Sequence, residues 1–156
     1  MEKYSASVEE GTSSEELEQI KKILEETGVE WKVDPAIRRE SLLKIVPWII
    51  VLYLSLKPFF NSFFGELGKD AHRLLKNVLR KLYNLRKAKT GSEGSIAFRD
   101  SKSKLICDLP MEMDDKALLT ALRKLRKTDL SKFDHGPICY DKEKRLWLPS
   151  DEQLRK

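Results

Sequence analysis

Apolar and polar residues alternate at the N-terminus, change to a helical period, and then alternate again. Apolar residues occupy every second position of 4–8, which predicts a short strand. Ser13 and Glu16 have the spacing of a helix capping box, and Gly28 is placed to end the helix that follows. A second alternation over 29–33 predicts another strand. Residues 1–40 are therefore expected to form a strand–helix–strand unit.

The next segment, 42–60, is the most apolar part of the chain and predicts a long helix over 41–64. Its centre, Ile45–Leu56, carries no charge, although 35% of the whole chain is charged. A helix of 19 residues rises about 28 Å, close to the roughly 30 Å of a bilayer's hydrocarbon core. The free energy of inserting this segment into a bilayer is narrowly favourable, because the apolar side chains outweigh Lys44 and Lys57, which lie near the ends of the helix. The alternative is a helix buried under a sheet and a partner subunit.

In both interpretations the same side chains of this helix make the contacts, either with lipid or with a partner subunit. The expected membrane or oligomer contacts are Trp48, Ile49, Leu52, Phe59, Phe60, Phe63 and Phe64. After the apolar segment, 65–89 predicts an amphipathic helix with a basic face. The basic residues expected at a membrane surface are Lys69, Arg73, Lys76, Arg80 and Lys81. The excess of positive charge on this side predicts a cytoplasmic C-terminus.

Charge is distributed unevenly along the chain. Residues 1–40 carry 6 basic and 11 acidic side chains, whereas residues 69–87 carry 7 basic side chains and Asp70 as their one acid. Two cysteines, Cys107 and Cys139, are too few for a disulfide framework or a zinc site, and free thiols in a reducing compartment are expected. Because the first apolar run begins at residue 42, no signal peptide is expected.

The C-terminal part, 95–150, reads as strand–strand–helix–strand–strand, so the predicted class is α+β. Basic side chains near its first turn and its helix could bind an anion such as a nucleotide or phosphate, or form a solvated face. They are Arg99, Lys102, Lys104, Arg123, Lys124, Arg126 and Lys127. Nucleic acid is not favoured, because aromatic residues are not interleaved with them. Trp147 is either an exposed partner contact or part of the core, depending on the strand register.

No sequence motif predicts an enzyme, a cofactor or a metal centre. The chain lacks a glycine-rich phosphate loop, an HExxH and a GxSxG motif. The acidic group at 112–115 is explained by capping of the following helix. Cys139 would be an activated thiol only if the fold brought His135 to it, and the 134–136 segment is interpreted as a loop.

The order of these elements, with a glycine-punctuated apolar helix before hairpins, resembles small accessory proteins of bacterial conflict and defence systems. The segments that carry the resemblance are Phe63–Ala71, Leu74–Lys76 and Tyr140–Trp147. The resemblance implies an adaptor or membrane-effector role, without a catalytic residue. Together with the charge layout, it predicts a homo-oligomer at the bacterial inner membrane whose C-terminal module binds a partner or an anionic ligand. The alternative is a soluble cytoplasmic homo-oligomeric adaptor.

Overall fold

A computed structural model describes residues 4–37, 47–133 and 137–149, without the side chains of Glu66, Leu67 and Lys69. These residues contain four α-helices and one seven-stranded mixed sheet, so the α+β class is confirmed. The strands are β1 Tyr4–Glu9, β2 Trp31–Ile37, β3 Ile49–Leu54, β4 Ser95–Asp100, β5 Ile106–Asp108, β6 Pro137–Asp141 and β7 Leu146–Pro149. The helices are α1 Ser14–Glu25, α2 Leu56–Leu67, α3 Ala71–Thr90 and α4 Asp115–Lys127.

The sheet order is β2-β1-β3-β4-β5-β6-β7. Three pairs of neighbouring strands are parallel, β1 with β2, β3 with β4 and β5 with β6, and each pair is joined through helix. The remaining neighbours are antiparallel. This arrangement combines three crossover units side by side in one sheet, as expected when parallel strands need a long connection.

One face of the sheet and the apolar faces of the four helices share a single core. Alternate strand residues such as Ala6, Leu52, Phe98 and Ile138 belong to it. The apolar residues of β3 that point the other way, including Val51, are half-buried and lie outside that core. The helices therefore pack on one side of the sheet.

The prediction of a helix over 41–64 is wrong for Ile49–Leu54, which forms strand β3 between β1 and β4. A short uncharged run fits a buried strand as well as a buried helix. The β-branched residues Ile49, Ile50 and Val51 favour a strand, and alternate positions of β3 are buried. Residues 38–46, where the predicted helix begins, lie outside the described part of the chain.

The aromatic residues expected to contact a membrane or a partner lie inside the protein. Trp48, Leu52, Phe59, Phe60, Phe63 and Phe64 are each at most 5% exposed, and Ile49 is half-buried. The prediction that these side chains meet lipid or another subunit is therefore wrong for the six buried residues, because they belong to the core that the sheet shares with the helices. For Ile49 it stays a prediction. Within the described ranges, no helix combines the length and the apolar character that a membrane span requires.

A short 3-10 turn, Gly68–Asp70, separates α2 from α3. Gly68 has φ +60°, a left-handed value that favours glycine, and the chain changes direction there. The predicted amphipathic helix over 65–89 is α3, which begins later, at Ala71. Its buried face includes Leu75, Val78 and Leu82.

Trp147 is 3% exposed, and its Nε1 donates a hydrogen bond to the Ala121 carbonyl at 2.9 Å. The interpretation of Trp147 as an exposed partner contact is therefore wrong, and the core interpretation holds. Leu146, its neighbour on β7, is 51% exposed instead. Cys107 and Cys139 lie on neighbouring strands, but Cys107 pairs with Ile138 in register, and no disulfide joins the two cysteines.

Candidate functional site: a basic groove between α2 and α4

The parallel strands β3 and β4 end side by side at Leu54 and Asp100, and α2 begins at Leu56. The amide of Ser101 donates to the carbonyl of Leu54 at 3.0 Å, which holds the two strand ends together. A crevice of about 350 Å³ opens beyond these strand ends, walled by the C-terminal end of α4. In open α/β sheets, ligands bind in the crevice at the carboxyl ends of parallel strands. This edge of the sheet is therefore a natural ligand site.

The carboxylate of Asp100 organises the floor of the crevice. Asp100 is 8% exposed, and its Oδ1 accepts a hydrogen bond from the Leu56 amide at 2.9 Å. Its Oδ2 accepts from the amide and the hydroxyl of Ser103, at 3.1 and 2.7 Å. A carboxylate at a helix N-terminus also complements the helix dipole. Asp100 therefore fixes the start of α2 against the turn after β4.

The walls of the crevice are mixed in character. Its apolar part is formed by Leu56, Pro58, Phe60, Leu125 and Leu130. Its polar rim includes Lys57, Asn61, Lys102, Thr128, Asp129 and Ser131. Apolar walls with a few placed polar groups are typical of small-molecule sites.

A second cavity, of about 530 Å³ and more open, also lies between α2 and α4. It is lined by Phe64, Gly68, His72, Arg123 and Arg126, and Arg126 also lines the crevice. We call this cavity the His72 pocket, and the two cavities together the basic groove.

The imidazole of His72 is held against the ring of Phe64, with centroids 4.2 Å apart. Its Nε2 is buried and has no hydrogen-bond partner among the residues that the structure describes. Burial lowers the pKa of His72, and the charges of Arg123, Arg126 and Lys127 lower it further. The pocket therefore contains a buried nitrogen that no described side chain or backbone group satisfies, with positive charges around it.

Arg126 lies over the same aromatic ring, with its guanidinium carbon 4.6 Å from the Phe64 centroid. This distance is within the range of a favourable cation–π interaction. The contact places the guanidinium at the junction of the two cavities, while the side chain stays exposed overall. A guanidinium held in this way is partly preorganised for bidentate binding of a phosphate or carboxylate.

The structure brings together some of the predicted anion-binding residues and separates others. Lys102, Arg123 and Arg126 line the basic groove, and Lys127 acts on His72 through its charge. Arg99 lies elsewhere, with its guanidinium carbon 5.8 Å from the Tyr53 ring centroid on the sheet face that carries Val51.

Of the remaining candidates, Lys104 and Lys124 are exposed and line neither cavity. The groove residues that the sequence analysis did not predict include Asp100, Lys57 and His72. Lys57 was assigned to the end of a membrane helix, and His72 was not among the candidate site residues. Their position near Arg126 depends on how α2 and α3 pack, and no local pattern indicates it.

The basic residues of α3 expected at a membrane surface make contacts within the protein. Lys76 and Arg80 both bind the carboxylate of Asp115, at 3.2 and 2.8 Å. Lys81 binds Glu26 at 2.7 Å. These ion pairs connect α3 to α4 and to α1. Arg73 is exposed, and the side chain of Lys69 lies outside the described part of the structure.

The other candidate groups have structural roles where the structure describes them. The side chain of Asp114 caps α4 by accepting from the Ala117 amide at 2.8 Å. The thiol of Cys139 lies 3.7 Å from the carboxylate of Asp108, and burial raises the pKa of Asp108. Residues 134–136, including His135, lie outside the described ranges. Among the described residues, no group of three or more potential ligand side chains is arranged to hold a metal.

Comparisons with protein-family models, with curated proteins and with solved structures gave no match to this chain. The site must therefore be interpreted from its own geometry and charge.

Proposed function

We propose that this chain is a small adaptor protein that binds a phosphate-bearing ligand in the basic groove. The observation that carries the proposal is the buried Nε2 of His72, which has no hydrogen-bond partner within the described part of the chain and shares a pocket with Arg123 and Arg126. A buried polar atom without a partner costs free energy unless a ligand or water satisfies it. A phosphate can bind both guanidinium groups and also accept a hydrogen bond from a protonated imidazole.

Charge supports an anion at this end of the groove. The His72 pocket is lined by two arginines and, among its described lining residues, by no carboxylate. The crevice, in contrast, contains Asp100 and Asp129 as well as Lys57 and Lys102. An anion is therefore attracted most strongly to the His72 pocket.

An adaptor role follows from the resemblance to accessory proteins of bacterial defence systems, in which ligand binding would be passed to a protein partner. Self-association remains part of this proposal, but it would use a surface other than the apolar segment. That segment packs within the single chain, as the burial of Phe59 and Phe63 illustrates.

Isothermal titration with pyrophosphate tests the proposal. The double variant Arg123→Gln, Arg126→Gln should bind pyrophosphate at least about tenfold more weakly than the wild type, because each charge-assisted hydrogen bond contributes about 1.5–3 kcal/mol. Lys116→Gln, Lys124→Gln is the matched control, since it removes two exposed positive charges from the same helix outside the groove. The control should retain affinity within about twofold, because salt screens distant exposed charges.

Two results would contradict the proposal. One is wild-type protein that does not bind pyrophosphate at low salt. The other is an equal loss of affinity in both double variants, which would show that binding depends on net charge and not on the groove. Thermal melting of each variant establishes that the folded protein is being compared.

A further inference from the structure

The two cavities of the basic groove differ in chemistry although Arg126 lines both of them. The His72 pocket offers cationic groups around an aromatic ring. The crevice offers apolar side chains, with the carboxylate of Asp100 at its floor and the hydroxyls of Ser103 and Thr128 at its rim. A ligand that fills both must have an anionic end and an uncharged end.

The crevice selects against a second phosphate. The buried carboxylate of Asp100 and the exposed carboxylate of Asp129 repel a negative group. Asp129 can also accept hydrogen bonds from hydroxyl or amine donors, whereas the oxygens of Asp100 already accept from Leu56 and Ser103. The walls formed by Phe60, Leu125 and Leu130 favour a flat apolar ring over a sugar alone. The polar rim disfavours a purely aliphatic chain, since its polar groups would lose water without new partners.

The spacing of two aromatic side chains, one lining each cavity, indicates the length of such a ligand. Phe60 lines the crevice and Phe64 lines the His72 pocket, one helical turn apart on α2. One turn rises about 5.4 Å, and the two ring centroids are 5.4 Å apart. A linker the size of one sugar ring is therefore enough to connect a group in one cavity to a group in the other. A crevice of about 350 Å³ also falls in the size range of small-molecule sites.

From these observations we infer that the ligand of the basic groove is a nucleoside monophosphate, or a compound built in the same way. Its phosphate binds at His72, Arg123 and Arg126, and its nucleoside lies in the crevice with sugar hydroxyls toward the carboxylate of Asp129. This inference rests on the proposed function and specifies the class of ligand.

Titration with a graded set of phosphates tests the inference. Inorganic phosphate, ribose 5-phosphate and adenosine and cytidine 5′-monophosphates share the anionic group but differ in what reaches the crevice. The nucleoside monophosphates should bind at least about tenfold more tightly than ribose 5-phosphate, a difference of about 1.4 kcal/mol.

A steric variant separates the crevice from the His72 pocket. Asn61 is exposed on α2 at the crevice rim, so Asn61→Trp should fill the crevice and weaken nucleoside monophosphate binding about tenfold. The same variant should leave the affinity for inorganic phosphate unchanged. Ser62→Trp is the matched control, because Ser62 is exposed on the same helix and lines neither cavity. It should alter neither affinity.

Equal affinity for all four probes, or nucleotide affinity unchanged by Asn61→Trp, would overturn the inference and leave anion binding in the groove intact. Failure of inorganic phosphate and pyrophosphate to bind would overturn the proposed function as well. Melting temperatures of both tryptophan variants exclude unfolding as the cause of a loss.

Discussion

Arg86 shows how one side chain can connect distant parts of this fold. It is 4% exposed on α3, and its guanidinium binds the carboxylates of Glu9 at the end of β1 and Glu16 in α1. The capping box predicts that Glu16 reaches back to Ser13. In the structure the Glu16 amide donates a hydrogen bond to the Ser13 hydroxyl at 3.2 Å, as the capping box predicts. The carboxylate of Glu16, however, binds Arg86. Sequence spacing cannot indicate a partner that lies 70 residues away.

Substituting Arg86 should therefore be costly. Arg86→Ala leaves two buried carboxylates without their cation, and we expect the free energy of unfolding to fall by about 3–5 kcal/mol. Lys87→Ala is the control, since Lys87 is exposed and its distance to Glu93 is 3.6 Å. Its effect should stay within about 0.5 kcal/mol. Urea unfolding measures both values, and similar effects for the two variants would refute a structural role for the buried cluster.

At the scale of elements, the structure differs most from the sequence prediction at β3. The run around Ile49–Leu54 was assigned to a helix because it is long and uncharged, and a membrane was then its natural environment. What decides the outcome is the neighbouring chain, since β3 forms backbone hydrogen bonds with β1 on one side and β4 on the other. Both partners are distant in sequence, so the local pattern alone could not distinguish the two states. Helix α1, with its cap and its terminal glycine, was predictable because those signals are local.

The start of the β3–β4 pair depends on a close approach between Trp48 and Gly94. The indole Nε1 of Trp48 donates to the Ser92 carbonyl at 2.7 Å, and the amide of Ser95 donates to the Trp48 carbonyl at 3.0 Å. A Cβ atom at Gly94 would lie 2.2 Å from the indole ring of Trp48, which is fully buried. The indole therefore leaves no room for a side chain at this position.

Gly94→Ala should lower the free energy of unfolding by at least about 1–3 kcal/mol, the usual cost of overpacking a core. Gly65→Ala provides the opposite control, because Gly65 lies in α2 with open space around its Cβ position. Alanine there should stabilise the helix by about 0.5–1 kcal/mol. Denaturant unfolding of the two variants measures both changes in the free energy of unfolding. If Gly94→Ala left that free energy unchanged, Trp48 would not pack as described.

For the whole molecule, the basic groove illustrates the limit of sequence reasoning. Lys102, Arg123 and Arg126 were recognised as candidate anion ligands from their charge alone, but Arg99 was grouped with them although it lies elsewhere. The groove joins α2, α3, α4 and the turn after β4, and only their packing places His72 beside the arginines. The class of fold was predictable from periodicity, whereas the sheet order and the site depend on contacts between distant segments.

The positive field of the groove also links anion binding to pH. Because the pKa of His72 is lowered in the folded protein, the unfolded chain binds its proton more readily near its ordinary value of about 6.5. Acidification below that value therefore reduces the stability of the free protein through this residue. A bound anion raises the pKa of His72, since it favours the charged imidazole. By linkage, a lower pH then strengthens anion binding.

The most direct test of anion binding in the groove is the pKa of His72, measured by NMR titration of its imidazole with and without pyrophosphate. The chain has two histidines, and loss of one signal in His72→Gln assigns the correct one. We expect the pKa of His72 to lie below the ordinary histidine value in the free protein and to rise when pyrophosphate is bound. A His72 pKa that does not change at saturating pyrophosphate would contradict binding of the anion in this groove.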